Sequence, residues 1–460
     1  MDKRYTRIFT LLLLAALSAG CATSTYVSAP PVVRQEVNPI IATAGALARD
    51  HAALPGAAQD ANARAIERLL AGLDDAALAR EAAALAVGDP LYAFAGRALL
   101  NRGLPLPRPF DRSEQWGFDR RPPADADGYR PPVRMAVLLP LSGPGAVASA
   151  PVRDGLLAGY YGETRRRPEI DFHDTAGTPA GALSAYARAA ASGADFVVGP
   201  LGRDEVGAVF GSAELAVPTL ALNRGFGTVP PPGHAGFSLA PEEDGIIAAE
   251  YLLNLERRNV LVISGSDDSG RRAAAAFRER FTGRGGSVVE TLSVGDAPGD
   301  LSANLTAAAQ RGVDAVFLAV KGGTARALTP QLAMTGLGGK VRIGTAQLTS
   351  GTGKPEEDSA LDGIIFPSEA WTVRGVRGLP AASAAAARLP TARGPAARLF
   401  AFGYDAWMLS AYLEKLLTGA NAEIQGATGM LKLDGFGNVL RTPAWSTFSG
   451  GRSVPIAGGG

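Results

Sequence analysis

Residues 135–139, MAVLL, form an unbroken apolar run, the pattern of a strand buried on both faces of a parallel sheet rather than of an alternating, half-exposed one. Pro140 ends the run, and Leu141-Ser142-Gly143-Pro144-Gly145 turns the chain at the strand's carboxyl end. Ser149 is expected to cap a helix that carries Pro151 in its first turn and runs to about Tyr161. The alternation continues with strands over 169–173, 195–198 and 218–221 and helices over 179–191 and 203–212. A second series opens at Glu242-Glu243-Asp244, acidic residues suited to the exposed N–H groups of a helix start that runs on to Leu255. Strands over 259–264, 287–292, 315–319 and 341–343 follow, with helices over 271–281 and 301–311 between them. This pace of alternation predicts an α/β fold, and the split near Ala240 predicts two lobes.

Upstream the pattern differs. From 40 to 102 the chain is alanine-rich, with Ala65 and Leu69, and Ile66 and Leu70, at helical spacing. Similar stretches at 75–87 and 91–100 predict two or three helices in all. Seven prolines between Gly103 and Pro132 then predict a linker without regular structure, with Trp116 and Phe118 lying against a neighbouring domain.

The first residues predict export. Lys3, Arg4 and Arg7 precede an apolar stretch at 8–17 that is too short for an ordinary membrane span. Leu17-Ser18-Ala19-Gly20-Cys21 has the form of a lipobox: small residues fit the peptidase, and the Cys21 thiol accepts diacylglycerol. Residues 1–20 are thus expected to be a signal peptide, and 21–39 a tether off a lipid surface. Cys21 is the one cysteine, so neither an intramolecular disulfide nor thiol catalysis is open to the mature chain.

Composition narrows the function further. Of 460 residues, 47% are hydrophobic and 19% charged, enough apolar material for a large two-lobed unit. The formal charge is +1, and removing residues 1–20 takes away three positive side chains and one negative, leaving about −1. No basic patch for nucleic acid is visible. The three histidines, His51, His173 and His234, form no metal motif, no GxSxG elbow occurs, and Gly351-Thr352-Gly353-Lys354 lacks the first glycine of a phosphate loop. Asp171, His173 and Asp174 are read as polar residues bordering a cleft and capping its turn. No metal, cofactor or catalytic residue is assigned, and the chain is read as a non-enzyme.

Five pieces, VLLPLSGP (137–144), FVVGPLGRDEV (196–206), VPTLALN (217–223), FGYDAW (402–407) and GATGMLKLDGFGNVLRTPAWSTFSGG (426–451), resemble the penicillin-binding protein activator lipoproteins in order. The last piece is the most specific, because the others are also similar to type I solute-binding lipoproteins. The resemblance implies a two-lobed type I periplasmic-binding-protein-like fold over 133–451, preceded by a short α-helical segment. It places 133–240 and 398–418 in the first lobe, and 241–366 and 426–451, with the hairpin at 430–440, in the second. Longer members carry an extensive helical-repeat domain before the α/β domain, which is abbreviated here. The implied function is that of an outer-membrane lipoprotein, anchored through Cys21 and facing the periplasm, that binds and activates a bifunctional peptidoglycan synthase. Ala22 agrees with sorting to the outer membrane. Lys432 and Arg441 are candidate partner contacts or ordinary solvated charges. The alternative is a lipid-anchored solute-binding or sensor protein for an amino acid or short peptide. Its interlobe cleft would be formed by Leu141, Ser142, Gly143, Asp174, Asn223, Ser264, Ser266 and Tyr404, with Trp371 as a further candidate ring.

Overall fold

Four helices, α1 (Pro39–His51), α2 (Gly56–Ala71), α3 (Asp75–Ala84) and α4 (Leu91–Asn101), open the computed structural model, which describes residues 38–111, 116–212, 215–225 and 229–456. Cys21, the expected signal peptide at 1–20 and nearly all of the expected tether at 21–39 lie outside the described residues. Of the two helical pairs seen in the sequence, Ile66 and Leu70 face the core, where they meet Leu78, Leu91 and Leu99. Asp74 caps α3 by accepting from Ala77 N at 2.7 Å.

The proline-rich segment is no free linker. It contains a 3-10 turn at Phe118–Arg120. Trp116, Phe118 and Tyr129 are buried in the first lobe's core, Tyr129 Oη donates to Arg166 O at 2.7 Å, and Arg130 holds Glu414 at 2.7 Å. Proline removes regular hydrogen bonding without preventing burial of the aromatic residues between.

The first lobe is a five-stranded, all-parallel sheet in the order β2-β1-β3-β4-β5, from β1 (Arg134–Leu139), β2 (Glu169–Asp174), β3 (Phe196–Val198), β4 (Thr219–Ala221) and β5 (Ala235–Gly236). Between these strands run α5 (Ala146–Gly162), α6 (Pro179–Ala191) and α7 (Arg203–Phe210). Ser149 is not the N-cap of α5, because the helix starts three residues earlier. Its hydroxyl instead donates back to Pro140 O at 2.5 Å, bracing the turn after β1.

The second lobe holds β6 (Asn259–Gly265), β7 (Ser287–Val294), β8 (Ala315–Ala319), β9 (Val341–Gly344) and β10 (Ile364–Ser368) in a parallel array. Helices α8 (Pro241–Asn254), α9 (Asp268–Gly283), α10 (Ser302–Gln310) and α11 (Gly322–Met334) pack against it. Three short helices, α12 (Pro355–Asp358), α13 (Ala370–Arg374) and α14 (Ala382–Arg388), lead to the long α15 (Ala396–Thr418), which returns to the first lobe. There α15 crosses α5 at backbone distance: a Cβ on Gly155 would lie 1.9 Å from Phe400 O, and one on Gly403 the same distance from Val152 O. Only glycine fits at either position.

The carboxyl hairpin corrects an expectation. A short connector after α15 leads into β11 (Ile424–Gln425), β12 (Met430–Leu433) and β13 (Val439–Thr442). Ile424, Leu431, Leu433 and Val439 pack with Phe402, Leu413 and Leu417 in the core of the first lobe, not the second. The third crossing falls at Pro443, after which β14 (Ala444–Ser449) pairs antiparallel with β10 and β15 (Arg452–Pro455) with β14.

The hairpin tip receives the helical region. Asp434 Oδ1 accepts from Phe436 N at 2.9 Å and Asn438 N at 2.7 Å, which fixes the turn. Phe436 then meets the edge of Phe94 with centroids 4.6 Å apart, and the Arg97 guanidinium lies 4.2 Å from its ring centre. The chain from Ile40 onward is consequently one compact unit.

That docking generates a test. Phe436→Ala should weaken the helical region's hold by about 2 kcal/mol, below the full core value because the ring is half-buried. In limited proteolysis the parent chain should resist cutting between 103 and 111, and the variant should be cut there first. Equally fast cutting of both at that site would contradict the docking.

Candidate functional site

The turn after β1 brings together four of the residues expected in a cleft. Asp174, at the end of β2, accepts from Leu141 N at 2.9 Å, from Ser142 N at 3.3 Å and from Ser142 Oγ at 2.6 Å. The Ser142 hydroxyl and the Ala176 N–H hold the Asp174 carboxyl down to about 2. Gly143 occupies the turn with φ of +73°. Leu141, Ser142 and Gly143 are exposed, so the turn is a capped surface loop.

The remaining expected groups bond to their own surroundings. Asn223 donates to Leu201 O at 2.9 Å, Ser264 is buried and donates to Gly265 O at 3.0 Å, and Ser266 N donates to Val294 O at 2.8 Å. Tyr404 is 3% exposed, packed in one apolar cluster with Trp371 and Phe400, and its hydroxyl donates to Arg377 O at 3.0 Å. It is a packing residue, not a free ring for stacking a ligand.

A site the sequence did not announce lies where the chain changes lobes. Asp244, in the first turn of α8 and 3% exposed, accepts from Ala346 N at 2.9 Å through Oδ2. Its Oδ1 faces Arg441 Nη2 of β13 at 3.3 Å and Arg398 Nη2 of α15 at 3.7 Å. Arg398 in turn lies 3.5 Å from Glu369, just after β10. Residues flanking all three crossings therefore converge on one carboxylate. Beside it, Glu243 Oε1 accepts from Arg224 Nη2 at 2.8 Å and Ser238 Oγ at 3.1 Å. Burial raises the Glu243 carboxyl, against the pull of Arg224 and Arg441.

Arg441 is thus neither a solvated charge nor a surface contact: it is 6% exposed. A signal for this was present, since Arg441 shares the inward face of β13 with Val439 at period two. Lys432 does reach the surface, 3.4 Å from Glu423.

A second buried carboxylate links two of the quoted sequence pieces. Asp405, fully buried in α15, accepts from Ala427 N, from Thr428 N at 2.8 Å and from Thr428 Oγ1 at 2.5 Å. A Cβ on Gly426 would lie 2.6 Å from that carboxylate, which explains the glycine ahead of Ala427-Thr428.

Residues 129–451, more than two thirds of the chain, match the family of LppC putative lipoproteins. The chain belongs to that family. Among curated proteins it is 26% identical over 341 residues to the penicillin-binding protein activator LpoA of Mannheimia succiniciproducens, an alignment covering 70% of this chain and 55% of that protein. The chain thus spans little more than half the length of this relative. Among solved structures, the LpoA (YraM) C-domain from Haemophilus influenzae, a regulator of PBP1A, superposes with a TM-score of 0.60 at 21% identity, over 70% of this chain and all of that one. A putative branched-chain amino acid ABC transporter structure from Chromobacterium violaceum gives 0.56 at 28% identity, over 69% of this chain and all of that one. The two-lobed periplasmic-binding-protein-like fold of this LppC member is shared by both.

Asp405 makes a pH-dependent prediction. Burial pushes its carboxyl up to about 7, although the Thr428 and Ala427 donors and the Arg441 charge pull it down. Between about 4, where the unfolded group ionises, and about 7, the folded chain holds a proton that the unfolded chain has released. Stability from this group therefore falls as pH rises through that window and is level above it. Asp405→Asn should remove that slope and, by setting an amide against the 427–428 donors, destabilise by about 1–3 kcal/mol. Denaturant melts of both proteins from pH 4 to pH 8 measure this. A variant with the parent's slope would contradict it.

Proposed function

We propose that this chain is an outer-membrane lipoprotein that binds a bifunctional peptidoglycan synthase and raises its output, acting as a regulator and not as an enzyme. The observation that carries this reading is the family match across 129–451, within which the curated relative is named a penicillin-binding protein activator. Physically, an activator must bind the productive state of its partner better than the unproductive one. A surface held by three lobe crossings and a buried ionic cluster suits that task, because binding energy is not lost in ordering it. Anchoring would come from Cys21, with 21–39 as the tether.

The rival reading, a solute-binding or sensor protein, draws on the similarity to the Chromobacterium transporter protein. Against it, the polar groups expected to receive a solute, at Ser142, Asn223, Ser264 and Tyr404, hydrogen-bond within the protein.

Two experiments test the proposal. Reconstitution of the cognate synthase with lipid-linked precursor should show several-fold more glycan polymerisation or cross-linking when the chain is added, and no turnover of peptidoglycan by the chain alone. Absence of both association and stimulation would overturn the activator reading. Cys21→Ser should leave the protein either in the soluble fraction or as an unprocessed precursor. An unchanged acylated amino terminus in the mass spectrum would refute the anchor.

A further inference from the structure

A cavity of about 250 Å³ opens where three parts of the chain meet: the helical region through α2 and α4, the second lobe through α8 and α9, and the hairpin β12–β13. It is not the turn at 141–143, none of whose residues lines it. Three of its charged wall residues are more than nine-tenths buried: Asp434, at 1% exposure, spends its carboxylate on the hairpin turn, which leaves Glu243 at 8% and Arg441 at 6%. Each of the latter two keeps one polar atom unused among the described residues. Glu243 spends Oε1 on Arg224 and Ser238, while Oε2 has no partner. Arg441 spends Nη1 on Thr428 O and Nη2 on Asp244, while Nε has no partner. Arg280, another wall residue, gives Nε to Glu250 and leaves Nη2 unused.

Buried polar atoms left unsatisfied cost about 1–3 kcal/mol each, so a molecule that satisfies them binds with that penalty already present in the empty site. The unused atoms are of opposite kinds. A carboxylate oxygen asks for a donor, and two guanidinium N–H groups ask for an acceptor. The rest of the wall is mixed: Phe94, Ile247, Ala276 and Leu440 give it an apolar part, and further charged side chains, among them Glu67, Arg97 and Glu279, also line it. We propose that this cavity is a binding site for a small zwitterion with an apolar body, on the scale of an amino acid or dipeptide. The ammonium end lies at Glu243 and the carboxylate at Arg441 and Arg280, with the apolar part against Phe94 and Ile247. Because the walls come from the helical region, the second lobe and the hairpin together, an occupant also ties the helical region to the lobes. The site stands apart from synthase activation: either can exist without the other.

The test uses the full mature chain, with L-leucine and L-leucyl-L-leucine as probes in calorimetry and thermal melts. At least one should bind saturably and raise the melting temperature. Isocaproate and isoamylamine, which each keep only one charge of leucine, should bind about tenfold more weakly or worse. Ala276→Phe, which narrows the cavity and leaves every charged side chain in the sequence, should also weaken binding about tenfold or more, and Glu243→Gln should do the same. Melts without ligand verify that both variants fold. Ser142→Ala with Ser264→Ala should leave the affinity unchanged. Absence of saturable binding by either probe overturns the proposal. So does equal affinity for isocaproate, which marks a plain anion site, or binding that survives Ala276→Phe but is lost on changing Ser142 and Ser264, which moves the ligand to the turn between the lobes.

Discussion

A carboxylate at the start of α8 and a guanidinium on β13, Asp244 and Arg441, meet at 3.3 Å with both side chains almost wholly withdrawn from water. Each would be costly to bury alone, since removing one partner of such a pair costs about 3–5 kcal/mol. Their meeting constrains the rest. Asp244 begins the second lobe, whereas Arg441 ends the hairpin that belongs to the first, so the pair forms only when both crossings are in place. Arg398 at the head of α15 adds the remaining crossing through the same oxygen. A hinge opening between the lobes would have to separate these charges or carry them together.

Around that pair the carboxyl segment works as a clasp. Asp405 holds 427–428 to α15, Asp434 shapes the hairpin tip, and the tip carries Phe436 to Phe94 and Arg97 of α4. One short piece of chain thus joins the first lobe's long helix, the second lobe and the helical region. The density of glycine and aspartate there follows from these tasks: close backbone approach at Gly426, and carboxylates that accept several backbone N–H groups at once. For a protein proposed to act by presenting a shaped surface, such fixation is the relevant property, and enzyme chemistry is not needed to explain it.

Much of this was legible in residue order. The apolar runs of β1, β6 and β8 and the helical spacing of Phe400, Tyr404, Trp407 and Ala411 in α15 depend on local patterning, and parallel α/β units leave that patterning strong. The hairpin's lobe was misread because a strand's pattern says which face is buried but not against which core. What decides is the packing of Ile424, Leu431, Leu433 and Val439 against α15 and the first lobe's core. Trp116 and Phe118 were legible as aromatic residues lying against a neighbouring domain, and they do so; Tyr129 was obscured by the prolines around it, which announce irregular backbone and say nothing of burial. Arg441 was read by its charge when its strand register placed it inward. Ser149, a good cap by type, lost that role because the helix began earlier. Tyr404 could be placed on a helix from sequence, but whether its ring faced a cleft or the 377–378 backbone depends on a crossing far along the chain.

If the crossings are held through one buried pair, the two side chains must be energetically coupled, and a double-mutant cycle reads that coupling directly. Asp244→Asn, Arg441→Met and the combined variant, each compared with the parent by denaturant unfolding, should give an interaction energy of about 2 kcal/mol or more, with the double variant more stable than the sum of the single losses implies. Losses that add to within about 0.5 kcal/mol would contradict the account.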